Sequence, residues 1–459
     1  MRNNIFLQSS IPEMMDDIKS GSLTFLDLAE ETIQSITENE AKTLAWVCHD
    51  LEKLRLNSEQ AYLRYKTRGH MLGIEGIPFG VKDIFNTREF PTQMGSPIWE
   101  HFTPGNNARV VDSLLSEGGV VVGKTVTAEF AVHELNATLN PHDTSRTPGT
   151  SSSGSAAAVA TGMVPFALAT QTAGSIIRPA SFFGVWGMKP SFGLIPRTGV
   201  LKTTDSLDTI GFVATHARSL RTVLDILRVR GPDYPFVYRN VDRLGINPKP
   251  NWEGWRIGFV KTHTWNGATA YARNAIEDLA GRIAREDDFS VEEIKWPVHL
   301  ETTHAIHSTI YNKSLSYYFQ NEAKASSKIS PIMNTMITAG ESITVEEYLN
   351  ALREQEVFSA TLDHLLSEYD FVLSLATSSS APLRGILEIP DPSLIWTLGH
   401  GPSIAAPAFR CPDGLPFGAQ FISRRWNDYL LLQGIEELVD RGIVPRGSQQ
   451  ITSRSKVSA

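Results

Sequence analysis

The chain has little cysteine and no long apolar run. Its two cysteines, Cys48 and Cys411, lie far apart in 459 residues and have no metal-site spacing. This excludes a disulfide-built fold and is typical of a reducing compartment. The N-terminus has no apolar core long enough for a signal peptide, and the small-residue stretch 156–170 is broken by Gly162 and Pro165. We therefore expect a cytoplasmic protein without a transmembrane helix.

Positive charge is also scarce. The chain has 42 Lys and Arg against 50 Asp and Glu, a formal net charge of -8, and no visible basic stripe. Nucleic acids and anionic membranes require a concentrated basic surface, so we predict neither as a partner. The hydrophobic share of 41% is that of a large protein with a substantial core.

Short strand-like and helix-like segments alternate along most of the chain, which is typical of an α/β protein. Apolar residues recur at helical spacing from residue 11 to about 65, with Ser22 and Thr24 as candidate helix caps. The predicted organisation is one domain over 1–445 and a disordered tail over 446–459. Within the domain we expect N-terminal helices over 1–70, a core over 71–235, a mainly helical variable region over 271–368, and closing strands and a helix over 369–445.

The segment "GGVVVGKT", Gly118 to Thr125, matches the pattern of a phosphate-binding loop, which would assign Lys124 to a nucleotide. Such a loop needs exposed backbone amides, whereas three valines with strong β preference occupy that place here. We therefore predict a buried strand. A nucleotide-binding protein remains the alternative from another class.

The histidines and serines match few familiar site patterns. His304 and His307 lie one helical turn apart, but no matching carboxylate motif follows, which favours a packed or solvated pair over a metal site. We predict no metal and no cofactor. The sequence has no Gly-x-Ser-x-Gly elbow and nominates no histidine as the base of a serine.

Three stretches together carry a resemblance: "GVKD" with Lys82, "PGTSSSGSAAAVA" with Ser151, and "TQTAGSIIRPASFFGVWGMKP" with Ser175. Ser151 follows Lys82 by 69 positions, and Ser175 follows Ser151 by 24. They resemble the amidase signature family, whose triad is a nucleophilic serine, a second serine on a cis peptide, and a lysine. "GIPFGVKDIF", "SLDTIG" and "GLPFGAQFISRRWNDYLLL" extend the resemblance over nearly the whole chain. It implies a single α/β/α domain on a twisted mixed sheet of about ten or eleven strands.

The resemblance implies a relay in which Lys82 deprotonates Ser151, Ser151 deprotonates Ser175, and Ser175 attacks an amide carbonyl. A lysine can act as this base only when neutral, and at a pKa near 10.4 about one in 2,500 is neutral at pH 7. Burial among Phe79, Val81 and Ile84 is consistent with a lowered pKa. The oxyanion hole is predicted from the backbone N–H groups of Thr172, Ala173, Gly174 and Ser175.

Neighbouring residues have competing interpretations. Ser152 is a candidate substrate contact or a loop residue, and Ser155 is a candidate cap of the following helix. Arg178 stands three positions after Ser175, which resembles the malonamidase branch, where the arginine holds a substrate carboxylate; the alternative is a structural ion pair. Thr150 and Ala173 depart from the family, which usually has glycine at both places.

The predicted function is hydrolysis of the C–N bond of a small-molecule amide by a monomer or homodimer. A carbamate, urethane or anilide hydrolase with the same triad is one alternative. The amidase subunit of a tRNA-dependent amidotransferase is another, although that subunit usually has glutamine after the arginine, where this chain has Pro179.

Overall fold

One mixed sheet forms the centre of the protein. The computed structural model describes residues 4–243, 253–386 and 390–451. Within these ranges eleven strands follow the order β1-β3-β2-β4-β6-β5-β10-β11-β9-β7-β8, which confirms the predicted single α/β domain. The strands are β1 Trp46–His49, β2 Pro78–Lys82, β3 Val120–Thr125, β4 Phe166–Gln171, β5 Trp186–Lys189, β6 Thr209–Ala214, β7 Trp255–Val260, β8 Phe289–Ile294, β9 Phe371–Leu375, β10 Ser403–Arg410 and β11 Pro416–Ile422.

Helices flank this sheet. They are α1 Ile5–Gln8, α2 Ile11–Ser20, α3 Phe25–Thr43, α4 Leu51–Arg68, α5 Arg109–Ser116, α6 Ser153–Ala160, α7 Ile177–Phe183, α8 Ala217–Leu227, α9 Pro235–Val237, α10 Ala270–Ile283, α11 Thr303–Tyr318, α12 Gln320–Ala323, α13 Pro331–Ser342, α14 Val345–Leu365, α15 Leu394–Leu398 and α16 Asp428–Asp440. Among the helices described, none is both long and apolar enough to cross a membrane.

Strand direction places the candidate site. β2 pairs in parallel with both β3 and β4, so the carboxyl ends of these three strands lie at one edge of the sheet. Lys82 is the last residue of β2, and Gln171 is the last residue of β4. In open α/β sheets this edge is where ligands bind.

The two faces of the sheet bury different side chains. Along β4, Phe166 and Leu168 belong to the larger hydrophobic cluster, whereas Ala167 and Ala169 belong to a smaller one that includes the alanines of α6. This alternation follows from the two-residue period of a strand. The small side chains let α6 pack closely against the sheet.

The N-terminal helices and the variable region each contain a strand that the sequence did not predict. β1 separates α3 from α4, and β8 lies between α10 and α11. Thr24 caps α3 in a capping box with Asp27, whereas Ser22 lies outside the helix. β1 has only four residues, and half of the six residues of β8 are exposed, so neither gives a strong apolar signal.

The predicted tail divides into two parts. The backbone N–H of Ser448 donates to Thr215 O over 2.7 Å, and that of Gln449 donates to Gly184 O over 2.8 Å. The first residues after 445 therefore pack against the domain rather than leaving it. Residues 452–459 of the predicted tail lie outside the described residues.

The phosphate-loop match is a strand, as predicted. Val120–Thr125 form β3, and Lys124 is fully buried. Its Nζ lies 3.0 Å from Asp83 Oδ1 and donates to Phe85 O over 2.9 Å. This lysine is thus bound within the fold.

Candidate active site

Lys82 lies at the centre of a cluster of hydroxyl groups. Its fully buried Nζ is 2.8 Å from Ser151 Oγ, 3.1 Å from Ser152 Oγ and 2.8 Å from Thr170 Oγ1. Among the described residues, no carboxylate lies within 4 Å of this amine. Burial lowers the pKa of Lys82 well below its usual value, and the more distant charge of Asp208 opposes that shift only in part.

Two other buried lysines show why this environment is unusual. Lys124 donates to two carbonyl oxygens, to the Thr92 hydroxyl and to Asp83, and Lys189 donates to the carbonyls of Gly401 and Pro190, so only Lys82 has hydroxyl groups as all of its described partners. Carbonyl oxygens only accept hydrogen bonds, so these lysines act as donors. Hydroxyls both donate and accept, so the partners of Lys82 suit either protonation state.

A tight turn presents Ser151. Gly149 has φ of +86°, and an added Cβ there would lie 3.0 Å from Pro179 Cα, so both conformation and space favour glycine. The close approach packs the Ser151 turn against the start of α7, the helix that follows Ser175. Thr150, the departure from the family pattern, is buried, and its hydroxyl has no partner among the described residues.

The serines after Ser151 have internal partners. Ser152 is fully buried and donates to Thr170 O over 3.1 Å, so the structure places it beside Lys82; its contact with a substrate stays a prediction. The expectation that Ser155 caps the helix is wrong, because α6 begins at Ser153. The Ser155 hydroxyl instead donates to Leu168 O over 2.9 Å and links α6 to β4.

The loop from Thr172 to Ser175 is held by its carbonyl groups. His307 Nε2 donates to Thr172 O over 2.8 Å, Thr397 Oγ1 donates to Ala173 O over 2.6 Å, and the N–H of Arg178 donates to Gly174 O over 2.9 Å. Among the described residues, none of the four N–H groups from Thr172 to Ser175 donates to a protein acceptor. The loop thus has its acceptors occupied and its donors available.

Hydrogen bonds of two side chains, Gln171 and Thr172, hold this loop in place. Gln171 Oε1 accepts from the N–H groups of Ile176 and Ile177 over 2.8 and 3.0 Å. Thr172 Oγ1 donates to Asp208 Oδ1 over 2.9 Å. Both Gln171 and Thr172 are buried, so the loop is fixed before any substrate binds.

Ser175 ends the loop and is 5% exposed. The structure describes no hydrogen bond from its hydroxyl to another described residue. Lys82 is therefore in direct contact with Ser151, Ser152 and Thr170, whereas no described hydrogen bond joins Ser175 to these residues. Its role as the nucleophile stays a prediction.

Two cavities near this loop share His133 and Arg178 in their walls. One, of about 320 Å³, also contacts Thr150 and Phe182. The other, of about 220 Å³, also contacts Ala173. The smaller cavity therefore reaches the predicted oxyanion hole at Ala173, and the larger cavity reaches the Ser151 turn at Thr150.

Arg178 forms an ion pair with Asp391, and both side chains are largely buried. The structure thus shows the ion pair that was the alternative interpretation of Arg178. The contact of Arg178 with a substrate carboxylate stays a prediction. Asp391 was not singled out in the sequence, because nothing in "IPDPSLIW" indicates that it reaches Arg178.

The histidines contact the protein itself. His304 Nε2 donates to Asp391 O over 3.1 Å, and His304 Nδ1 lies 3.0 Å from His263 Nε2. Within the described ranges, no group of three or more His, Cys, Asp or Glu side chains could hold a metal ion. Burial lowers the pKa of both His133 and His307 to about 4, so both are neutral at pH 7.

Sequence reasoning missed Thr170 and His307. Thr170 was visible only as the end of a strand, and its contact with Lys82 depends on the parallel pairing of β2 with β4. His307 was predicted only as part of a packed or solvated pair, and its bond to Thr172 joins segments 135 positions apart.

Known proteins of similar sequence and structure cover nearly the whole chain. The chain is 29% identical over 456 residues to the AtzE component of 1-carboxybiuret hydrolase from Pseudomonas sp. strain ADP, covering 94% of this chain and 98% of that protein. It is 30% identical over 467 residues to a glutamyl-tRNA(Gln) amidotransferase component of Chloroflexus aggregans strain MD-66 / DSM 9485, covering 91% and 93%.

The chain is also similar to a solved structure. That structure comes from a vestigial protein complex that reveals the evolutionary origins of an s-triazine catabolic enzyme. It has a TM-score of 0.84 and 27% identity, and the match covers 95% of this chain and all of that one. The Amidase family matches residues 27–432. With the fold and the arrangement around Lys82, these similarities show that the chain belongs to the amidase signature family of hydrolases acting on C–N bonds.

Proposed function

We propose that this protein hydrolyses the C–N bond of a small-molecule amide through an acyl-enzyme on Ser175. The observation that carries the proposal is the environment of Lys82, a buried amine whose partners are three hydroxyl groups. Because burial lowers its pKa and no carboxylate among the described residues holds its proton, this lysine is suited to act as a base.

The proposed first step forms the acyl-enzyme. Lys82 accepts the proton of Ser151, Ser151 accepts the proton of Ser175, and the Ser175 oxygen forms a bond to the substrate carbonyl carbon. When the C–N bond breaks, Ser151 returns a proton to the departing nitrogen and Lys82 returns one to Ser151. Water then attacks the ester through the same relay, and the acid product leaves Ser175.

The N–H groups between Thr172 and Ser175 are proposed to bind the oxyanion. Their availability, together with the hydrogen bonds that hold the loop, supports this role because preorganised donors stabilise charge without rearrangement. Loss of one such donor typically lowers the rate about 10²- to 10³-fold.

Amides, carbamates and anilides remain candidate substrates because the same attack by Ser175 expels the nitrogen group of each. Amides and anilides would leave a carboxylic ester on Ser175, and carbamates would leave a carbonate. The cavities of about 320 and 220 Å³ suit a small molecule rather than a polymer. The relative whose name is 1-carboxybiuret hydrolase further supports a small, carbonyl-rich substrate.

Similarity to the amidotransferase component supports a second candidate, an amidase chain that works beside a partner chain. Hydrolysis by the purified chain alone separates the two. Turnover that appears only after partner chains are added would favour the second candidate.

The experiment compares Ser175→Ala with Ser153→Ala on a panel of amides, anilides, esters and carbamates. We expect Ser175→Ala to lower kcat at least about 10³-fold, because it removes the attacking oxygen. Ser153 is a matched control: it is buried near Ser151 but accepts from Asn136 Nδ2 over 2.7 Å and is not among the described hydrogen-bond partners of Lys82. We expect this variant to keep its turnover.

Mass spectrometry of the quenched reaction should show an acyl adduct on the peptide that contains Ser175. Near-parental turnover by Ser175→Ala on every substrate that the parent protein cleaves would refute the proposal.

A further inference from the structure

The cavity walls beside the predicted oxyanion hole have no net positive charge. The charged residues lining the smaller cavity are Arg178 and Asp391, which pair with each other. In the larger cavity the charged lining residues are Arg178 and Glu134. Three histidines line these cavities, and burial lowers the pKa of His133, His304 and His307 below the usual imidazole value, so all three are mainly neutral at pH 7. Arg178 is thus the one cation among the described lining residues, and it faces a carboxylate.

The Asp391 carboxylate already pairs with Arg178, the guanidinium that a substrate carboxylate in this cavity would have to reach. Its Oδ1 accepts from the N–H of Ser393 over 2.9 Å, and its backbone carbonyl accepts from His304 over 3.1 Å, so two contacts besides Arg178 hold the residue. It also lies against the oxyanion loop, because an added Cβ on Gly174 would be 3.0 Å from Oδ1. A second carboxylate at this place would be repelled by Asp391 and would have to compete with it for the guanidinium.

We propose that Asp391 is a specificity-determining residue that makes this site select uncharged substrates and reject those with a free carboxylate beside the scissile bond. The substrate class is therefore a neutral amide or carbamate. Arg178 positions the Asp391 segment against the loop instead of binding the substrate anion. This inference rests on the proposed function, because it concerns the same cavities.

Asp391→Asn tests the role of the carboxylate. Asparagine keeps the shape and the Oδ1 acceptor for Ser393 but removes the charge opposite Arg178. We expect the variant to bind malonate, measured by calorimetry, at least tenfold more tightly than the parent protein does. We also expect its kcat/KM ratio for malonamate over malonamide to rise at least tenfold.

Two further variants serve as controls. Asp440→Asn removes the carboxylate from another arginine pair, with Arg218 on the exposed surface, and should leave malonate binding unchanged. The double change Arg178→Gln with Asp391→Asn should lose the gained affinity. If Asp391→Asn does not fold, Asp391→Ser supplies the test, because its hydroxyl can still accept from Ser393.

Calorimetry of malonate binding requires no catalysis, so this test of Asp391 does not depend on turnover. A gain for Asp391→Asn that depends on Arg178 supports the specificity role even if no substrate of the panel is hydrolysed. The inference is overturned if malonate binds both proteins alike or binds neither. It is also overturned if the parent protein already prefers malonamate to malonamide.

Discussion

At the scale of single residues, the hydrogen-bond partners of a buried lysine decide whether it can act as a base. Lys82, Lys124 and Lys189 are all buried at the ends of strands or near them, and burial lowers the pKa of all three. Lys189 reaches a pKa of about 7, yet its partners are carbonyl oxygens that cannot release a proton. A lowered pKa alone therefore does not identify the base; the hydroxyl partners of Lys82 do.

The lowered pKa of Lys82 predicts a pH dependence of stability. Between its folded pKa and its usual value of 10.5, Lys82 is neutral in the folded protein and protonated in the unfolded chain. The unfolded chain then binds more protons, so stability rises with pH by up to about 1.4 kcal/mol per pH unit from this one group. Lys82→Met should lose that part of the slope and should be inactive.

Urea unfolding at pH 7.5, 8.5 and 9.5 measures this slope in the parent protein and the variant. Lys328→Met removes an exposed lysine, so its free energy of unfolding should depend on pH as that of the parent protein does. Parallel profiles for Lys82→Met and the parent protein would contradict a lowered pKa for Lys82.

At the scale of elements, α6 explains the small-residue stretch "SSSGSAAAVA". Every residue of this helix is buried, and the helix lies against β2, β3, β4 and β6. An added Cβ on Gly154 would lie 2.6 Å from Ala45 O and 2.7 Å from Val126 O, both backbone atoms that cannot rotate away. Small side chains thus allow the close approach that positions Ser151 beside Lys82.

Gly154→Ala should therefore destabilise the protein, although alanine favours helices. We expect a loss of about 1–3 kcal/mol or more in the free energy of unfolding, because overpacking shifts the backbone. Gly281→Ala is the matched control: Gly281 lies in α10, and an added Cβ meets no atom within 4 Å. It should gain up to about 1 kcal/mol. Thermal unfolding followed by circular dichroism checks both, and equal effects would contradict this packing argument.

At the scale of the whole molecule, strands from distant parts of the chain complete the sheet. β10 pairs with β5, and β11 pairs with both β10 and β9. These two C-terminal strands therefore join the part of the sheet that contains Lys82 to the part formed by β7, β8 and β9. We therefore expect that neither part of the sheet folds without the chain that follows residue 402.

A chain that ends at Leu398 should consequently fail to fold, although it retains Lys82, Ser151 and Ser175. Without β10 and β11, strands β5 and β9 lose their partners and expose edges that favour aggregation. The full chain should unfold in one transition that coincides by circular dichroism and by loss of hydrolysis. A soluble, active truncated chain would show that the two parts fold independently.

The sequence predicted the features that depend on local pattern. Helices and strands with strong apolar periodicity were correct, including β3 in place of a phosphate-binding loop. Strands β1 and β8 were missed because β1 has only four residues and half of the six residues of β8 are exposed, so neither shows a strong apolar pattern. The domain boundaries drawn from the sequence remain predictions.

The sequence by itself determined the family, the α/β class and the candidate triad, because "GVKD", "PGTSSSGSAAAVA" and "TQTAGSIIRP" keep their residue types and spacing. Only the tertiary structure decided that Thr170 joins the hydroxyls around Lys82 and that Asp391 faces Arg178. The physical reason is distance along the chain. Hydrogen bonds and ion pairs act over a few ångströms of space, and these partners lie 88 and 213 positions apart in sequence.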